Sequence, residues 1–545
     1  MKRSGLVFAL LLAAASAGAF ASRLWAWILD FNPGFEFVHA PVPTGGPLTS
    51  GVTILLVDGL RLDGSRHMPV LNDLRARGAD IEATAGTPSF SRPGRASIAV
   101  GAPQGIHGVT TNRQQRAIPL DNILRRLGEM GGTCRVAGSG IWKGLFRDDI
   151  ARCGVYRGGE GKEGPGAFDR QVPSIRASDR AGLEFVLEKP ATLRIADVIS
   201  TDFAAHEYGG ASIEYQAELV RTDDLIAGLV TRLDLSKETL IVTADHGHRD
   251  AGGHGGEEPE VLSVPIVMIG AGVRPGVALR AQQADIAPTV AALLGIPLPA
   301  ASAGRPMVGV IATDEAGQAS IEEASRMQRA AFTGTVAARL GVTATWPQED
   351  LAALVSRHRT AEIGRRLKLA AGAAALVIAL TALVLRLARA DLWSLLAAVG
   401  ATALLLLGPI GARIPAMSFS AINYDEMLIP FFIRILALAM LTTLGAIAAA
   451  LVVGHVFRRR PTLDTPVVRA GGAGLLLTTT LVLAVITWWW RQALLDSTTL
   501  PGPGAMVQSF ALTLAAISAA ATTLVVMLIL RIVAASRSRS APERA

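Results

Sequence analysis

The chain has 545 residues, half of them hydrophobic and 18% charged, with a formal net charge of +7. That is too long for one compact core. The positive balance is not a nucleic-acid signature: arginines cluster at the ends of apolar blocks, as in Arg458-Arg459-Arg460 and from Arg537 to Arg544, and no aromatic–basic interleaving offers a base-stacking surface.

Met1-Lys2-Arg3 is a basic start, and an apolar run follows from Gly5 to Ile28. This is the pattern of an export signal. Ala19-Phe20-Ala21 has the small-x-small form of a cleavage site, but Leu24-Trp25-Ala26-Trp27-Ile28-Leu29 prolongs the run with interfacial aromatics. Residues 1–33 therefore read as an uncleaved signal-anchor span. Residues 34–312 have the spaced charges, glycines and prolines of a soluble catalytic domain. Three continuous apolar runs, 52–57, 192–199 and 239–243, end at or near Asp58, Asp202 and Asp245. Unalternating strands separated by helical stretches predict an α/β fold with a doubly wound, mostly parallel sheet. In such sheets the chemistry collects at the carboxyl ends of the strands. The chain's two cysteines, Cys134 and Cys153, form no Cys-x-x-Cys pair, so a thiolate zinc site is excluded. Both one disulfide and two unlinked thiols stay open.

Residues 313–366 read as a helical linker. Residues 367–545 read as an α-helical membrane domain with five apolar blocks, at 369–385, 392–410, 435–453, 473–490 and 510–530. With the first segment they make six spans. Placing Lys2 and Arg3 inside puts the catalytic domain outside the cytoplasm, periplasmic or on the cell surface if the source is bacterial. Arg386, Arg389, Arg458-Arg459-Arg460 and the basic tail then lie inside. Arg365, Arg366 and Lys368 run against that rule, lying outside just before the second span.

Asp202-x-x-x-His206, then Asp245-His246-Gly247, then Gly253-His254-Gly255 supply carboxylate and imidazole groups in one region of chain. With Asp58 and Ser91 they divide into two ligand sets. Asp202, His206 and His254 suit one divalent cation; Asp58, Asp245, His246 and the Ser91 oxygen suit a second. A metal would lower the serine pKa and make Ser91 the nucleophile. Ser91 is placed like a helix N-cap, with Pro93 early in the helix and open amides that favour a phosphoryl group. His107-Gly108 reads as a turn. His248 reads as a neighbour of the site that competes for metal, not as a ligand.

These motifs resemble the alkaline phosphatase superfamily, in the branch of type I phosphodiesterases/nucleotide pyrophosphatases and GPI ethanolamine-phosphate transferases. The resemblance runs from Leu29 to Gly304 and rests on Val57-Asp58-Gly59-Leu60-Arg61, Ser91-Arg92-Pro93-Gly94, Asp202 to Gly209, Asp245 to Gly255, and Gln283 to Thr289 followed by Leu293-Leu294-Gly295. It implies two divalent metal ions, zinc in kind, and a covalent phospho-enzyme on Ser91. Asn112 stands where the phosphodiesterases contact a phosphate oxygen, and Arg92 and Asn112 are the expected substrate-binding residues. The implied activity is cleavage of a phosphodiester, with a phospholipid head-group donor and water, a lipid or an envelope glycan as acceptor. Nucleic acid is not an expected partner. Two departures stand out: Glu258 occupies a place where the transferases tend to have a further histidine, and those transferases carry more C-terminal spans.

Two other readings compete. Ser91-x-Pro93-x-Arg95 fits the core of the sulfatase motif, whose serine or cysteine becomes formylglycine. Against it, Asp58 is followed by Gly59 rather than a second aspartate, and the histidines supply nitrogen suited to zinc rather than calcium. A pseudoenzyme or membrane assembly factor is the third reading, and the competent residues at every ligand position count against it.

Overall fold

The computed structural model describes residues 2–37, 45–138, 140–158, 166–344, 350–414, 417–422, 425–457 and 465–539. Arg458-Arg459-Arg460, used above to orient the membrane domain, lies outside the described residues.

The soluble domain is built on one eight-stranded sheet: β1 (Gly51–Val57), β2 (Ala79–Thr84), β3 (Cys134–Gly138), β4 (Gly154–Arg157), β5 (Leu193–Val198), β6 (Glu238–Thr243), β7 (Ser263–Gly270) and β8 (Val277–Gln282). Their order is β4-β3-β5-β1-β6-β7-β2-β8. All pairs are parallel except those of β7, which runs antiparallel to both β6 and β2. Burial explains the sequence pattern. Every residue of β1 and β5 is buried, as the unbroken apolar runs require, whereas the edge strands β4 and β8 alternate between half-buried and exposed positions.

β1 lies between β5 and β6, with Val57 opposite Val198 and Leu56 opposite Thr243. Their carboxyl ends therefore meet at one place, which is where Asp58, Asp202 and Asp245 emerge. A disulfide joins Cys134, at the start of β3, to Cys153, just before β4.

The expected linker divides into two helices, Glu315–Leu340 and Leu351–Ala388. The second runs without a break from the linker into an apolar span, and its 38 residues reach about 57 Å at 1.5 Å per residue. Arg366, which disagrees with the charge rule, is engaged inside the protein: it pairs with Glu362, donates to the Leu494 carbonyl and lies over the Trp489 ring. Among the described residues, five helices are long and apolar enough to cross a membrane: Ser4–Leu29, Leu351–Ala388, Ile429–Phe457, Thr465–Arg491 and Pro503–Arg537. The block expected at 392–410 forms a helix of only 16 residues, Leu392–Leu407. At about 24 Å it falls short of a hydrocarbon core of about 30 Å, so the expectation of six full spans is not met.

The first helix is part of this bundle. Leu6 and Leu10 are fully buried with Ala446, Ala473 and Met527; Leu24 and Ile28 are fully buried with Phe431, Met506 and Val507. Its end also touches the soluble domain, where Thr110 donates to the Ile28 carbonyl (2.6 Å).

Candidate functional site

Asp58 directly follows β1. Asp202 lies in the first turn of helix Ser200–Tyr208 after β5, and His206 one turn on. Asp245 and His246 follow β6. His248 and His254 lie on the loop that returns toward β7. Ser91 opens helix Ser91–Val100. All of these residues are buried.

Two groups of side chains offer atoms within 4.8 Å of one another: Asp58, Asp245 and His246, and Asp202, His246, His248 and His254. His206 closes the second group, with its Nε2 3.1 Å from His254 Nε2 and 3.4 Å from Asp202 Oδ2. His248 thus stands inside the cluster, where the sequence reading made it a neighbour. Its Nε2 lies 2.7 Å from Asp202 Oδ1. Ser91 Oγ lies 3.2 Å from His246 Nε2.

The tautomers follow from the outer partners. His246 Nδ1 faces the Gly247 carbonyl at 3.2 Å, and His254 Nδ1 faces the Ser89 carbonyl at 2.9 Å. Each Nδ1–H is donated there, which leaves Nε2 with its lone pair aimed inward, the arrangement of a metal-binding imidazole. Burial holds His246 and His248 down at about 4 and His254 well below the usual histidine range, so all three rings are neutral at pH 7.

The carboxylates are crowded. Burial raises Asp245 well above the usual range, and Asp58 adds to it; burial and then Asp202 raise Asp58. Burial would also raise Asp202, but His206 and His248 hold it well below its ordinary value. Asp58 Oδ1 is buried and has no hydrogen-bond partner. Arg95, fully buried, reaches three carboxylates at once: Asp245 (2.5 Å), Asp58 (2.8 Å) and Asp197 (3.0 Å). Three aspartates thus share one guanidinium, with Asp202 a fourth carboxylate in the same cluster, so the acids outnumber the cation that holds them. A neutral imidazole set, an orphaned carboxylate oxygen and excess negative charge together fit divalent cations.

The turn at Ser91 departs from the sequence reading in two ways. Phe90, not Ser91, holds the N-cap position, so Ser91 is the first helical residue and its hydroxyl points toward His246. The Arg92 amide is not open: it donates to Asn112 Oδ1 at 2.8 Å. Asn112 is exposed and ties the turn in place. Arg92 itself is buried against Gly144. His107 lies outside the cluster. It accepts from the Val109 amide and bonds Ser97, and burial lowers it to about 3.

Residues 52–117 and 136–262 match the family model of type I phosphodiesterase / nucleotide pyrophosphatase. Both stretches lie within the soluble domain, between β1 and the start of β7. Human GPI ethanolamine phosphate transferase 2, catalytic subunit, is 26% identical over 303 residues, covering 50% of this chain and 30% of that protein. Mouse GPI ethanolamine phosphate transferase 1 is 24% identical over 340 residues, covering 53% and 36%. The chain thus spans about a third of the length of these relatives. Among solved structures, murine ectonucleotide pyrophosphatase / phosphodiesterase 5, an inactive variant with AMP, is similar at 13% identity and a TM-score of 0.37, covering 46% of this chain and 96% of that one. With its apolar helices, the chain is a membrane protein whose soluble domain matches the phosphodiesterase family model in part.

The sequence reading gives Ser89 no role and Asp197 only a place in the apolar run 192–199, and Arg95 enters it only through the sulfatase motif. A signal existed for Asp197: a carboxylate inside an apolar strand has to find a buried partner, here Arg95 and the Trp142 indole N–H (3.0 Å).

Proposed function

We propose that the chain is a membrane-anchored phosphodiester-cleaving enzyme that works through a covalent phosphoryl intermediate on Ser91. The observation that carries this reading is the 3.2 Å approach of Ser91 Oγ to His246 Nε2 inside the buried carboxylate–imidazole cluster.

Asp202, His206 and His254 would hold one divalent cation, and Asp58, Asp245 and His246 a second beside Ser91; zinc suits this nitrogen and oxygen set. Bound there, the cations supply charge neutralisation for the phosphoryl oxygens and a lowered pKa for the serine hydroxyl. In the first step the Ser91 Oγ–P bond forms as the ester P–O bond breaks, and the alcohol leaves with the proton. In the second, water or an acceptor hydroxyl attacks phosphorus and the Ser91–P bond breaks. Arg95 holds Asp58 and Asp245 apart and oriented throughout. Asn112 fixes the amide after the nucleophile and leaves its side-chain NH2 for a phosphoryl oxygen.

The membrane helices favour a donor that is itself a lipid, a phosphodiester head group such as phosphoethanolamine, passed to water, a lipid or an envelope glycan. The catalytic domain is read as extracytoplasmic because basic residues cluster at one set of ends of the apolar blocks. The test is incubation of the full chain in zinc-containing detergent with a phosphatidylethanolamine donor, followed by mass measurement of the Ser91 peptide. A phosphoethanolamine adduct, lost in Ser91→Ala, is expected. A peptide lighter by two hydrogens would mean formylglycine and a sulfatase. An unmodified serine in a chain that takes up no zinc would favour the pseudoenzyme.

A further inference from the structure

His254 stands on a loop with little regular structure of its own. Two sets of contacts fix it. One comes from the segment that leads into helix Ser91–Val100: Ser89 Oγ accepts from the Gly255 amide (3.1 Å) and donates to the Gly256 carbonyl (2.9 Å). The other comes from the far end of the chain. The segment 417–421, between helices Leu392–Leu407 and Asp425–Phe457 of the membrane domain, lies directly on the loop. Ser420 Oγ accepts from the Gly256 amide (2.9 Å) and donates to Glu258 Oε2 (2.7 Å). Ser418 Oγ donates to Glu258 Oε1 (2.8 Å). Both oxygens of one carboxylate are thus taken by the membrane segment.

The approach is close enough to dictate residue type. Gly253 and Gly255 have φ of +86° and +104°, and a Cβ at Gly253 would strike the Ser420 carbonyl. At Gly255 it would strike the Phe90 ring and come within 3.2 Å of Phe419 Cβ. Phe419 packs on Phe90 (5.6 Å between centroids), which packs on His254 (5.7 Å) and immediately precedes Ser91. Phe90 and Phe419 share one buried cluster with Leu24, Phe431 and Met506 of the membrane helices. Glycines flank His254 on both sides, and here the space they leave is filled by the membrane domain.

We propose that Ser418, Ser420 and Glu258 form an interdomain latch that positions His254, so that metal affinity at the His254 group depends on the membrane domain. The inference rests on the two-metal reading above. The latch residues are positioning residues: they act on the imidazole through the loop backbone and touch no substrate. Outer partners that orient a metal-ligating histidine typically contribute about tenfold to a hundredfold in metal affinity.

The experiment uses the full chain in detergent and two variants, Ser418→Ala/Ser420→Ala and Glu258→Gln. Zinc per chain is titrated against a competing chelator, with helical circular dichroism recorded on the same samples. The wild type is expected to take up two zinc ions, and each variant to bind one of them about tenfold more weakly with unchanged helix content. Ser420→Thr, which keeps the hydroxyl, is expected to restore the affinity. Combining Ser418→Ala/Ser420→Ala with Glu258→Gln is expected to weaken binding no further than the double-serine variant alone, because both act on the same carboxylate contacts. Wild-type affinity for both ions in the variants overturns the latch and leaves the function reading standing. A wild-type chain that takes up no zinc overturns both.

Discussion

Arg95 Nη1 lies 2.5 Å from Asp245 Oδ2, at the centre of a ring of carboxylates and with no exposed surface. The same guanidinium reaches Asp58 and Asp197, so one cation orients two candidate ligands and braces them against a fourth strand-end acid. Removing a partner from such a buried network strands the remaining charges. Arg95→Ala is expected to cost about 3–5 kcal/mol of stability. Arg95→Lys keeps the charge but cannot span three carboxylates, and is expected to fold with weakened zinc binding. Thermal melting with and without chelator checks both.

Ser91→Ala removes the proposed nucleophile and one hydrogen bond to His246. Activity on a phosphodiester is expected to fall by about three orders of magnitude or more, while stability changes by about 1 kcal/mol. His254→Ala is expected to lose one of two zinc ions, measured by metal analysis of the purified chain. His248→Ala is expected to retain both but bind them less tightly, since His248 steadies Asp202 at 2.7 Å.

The pH response of the metal-free domain has two sides. His246 and His248 titrate at about 4 when folded against 6.5 for an ordinary histidine, so the unfolded chain takes up protons first. Their contribution is complete above pH 6.5 and is lost as the pH falls toward 4. Asp58 and Asp245 act in the opposite sense: they are raised above 3.8, so stability present at low pH is lost as the pH rises through their folded values. The metal-free domain is therefore expected to be most stable on the mildly acidic side. The gain in melting temperature on adding zinc is expected to grow as the pH rises. Melting curves from about pH 5 to about pH 8, with zinc or with chelator, check the sign.

Leu6, Leu10, Leu24 and Ile28 are fully buried among the other membrane helices. Trp27 Nε1 also donates to the Asp496 carbonyl at 3.1 Å. The purified protein is expected to keep its N-terminal helix, and intact mass will show residues before Ser22. Leu24→Arg is expected to release the helix and lower the yield of folded protein.

The central strands were legible because burial on both faces demands unbroken apolar runs, and a run that stops at an aspartate marks a strand end. The ligand types were legible because Asp-x-x-x-His and Asp-His-Gly place donors at fixed offsets from those ends. Arg95 could not be read as a clamp, because its three partners, Asp58, Asp197 and Asp245, come from three strands whose order only the sheet reveals. Ser418 and Ser420 carried no signal at all. Serines between apolar blocks look like an ordinary loop until the fold brings them, about 160 residues away in sequence, onto Glu258. The missing sixth span has a simpler cause: hydropathy marks 392–410 as apolar, but Gly408 and Pro409 end the helix before it is long enough.

Phe90, beside Ser91, shares its apolar cluster with Met506 and Val507 of helix Pro503–Arg539. The catalytic domain is complete on the ribosome some two hundred residues earlier. At ordinary elongation rates that is a wait of about ten to forty seconds. Throughout it the aromatic face next to Ser91 is bare and the latch on Glu258 has no partner. Assembly around Ser91 therefore waits on the membrane domain: the centre stays unfinished until helix Pro503–Arg539 has joined the bundle.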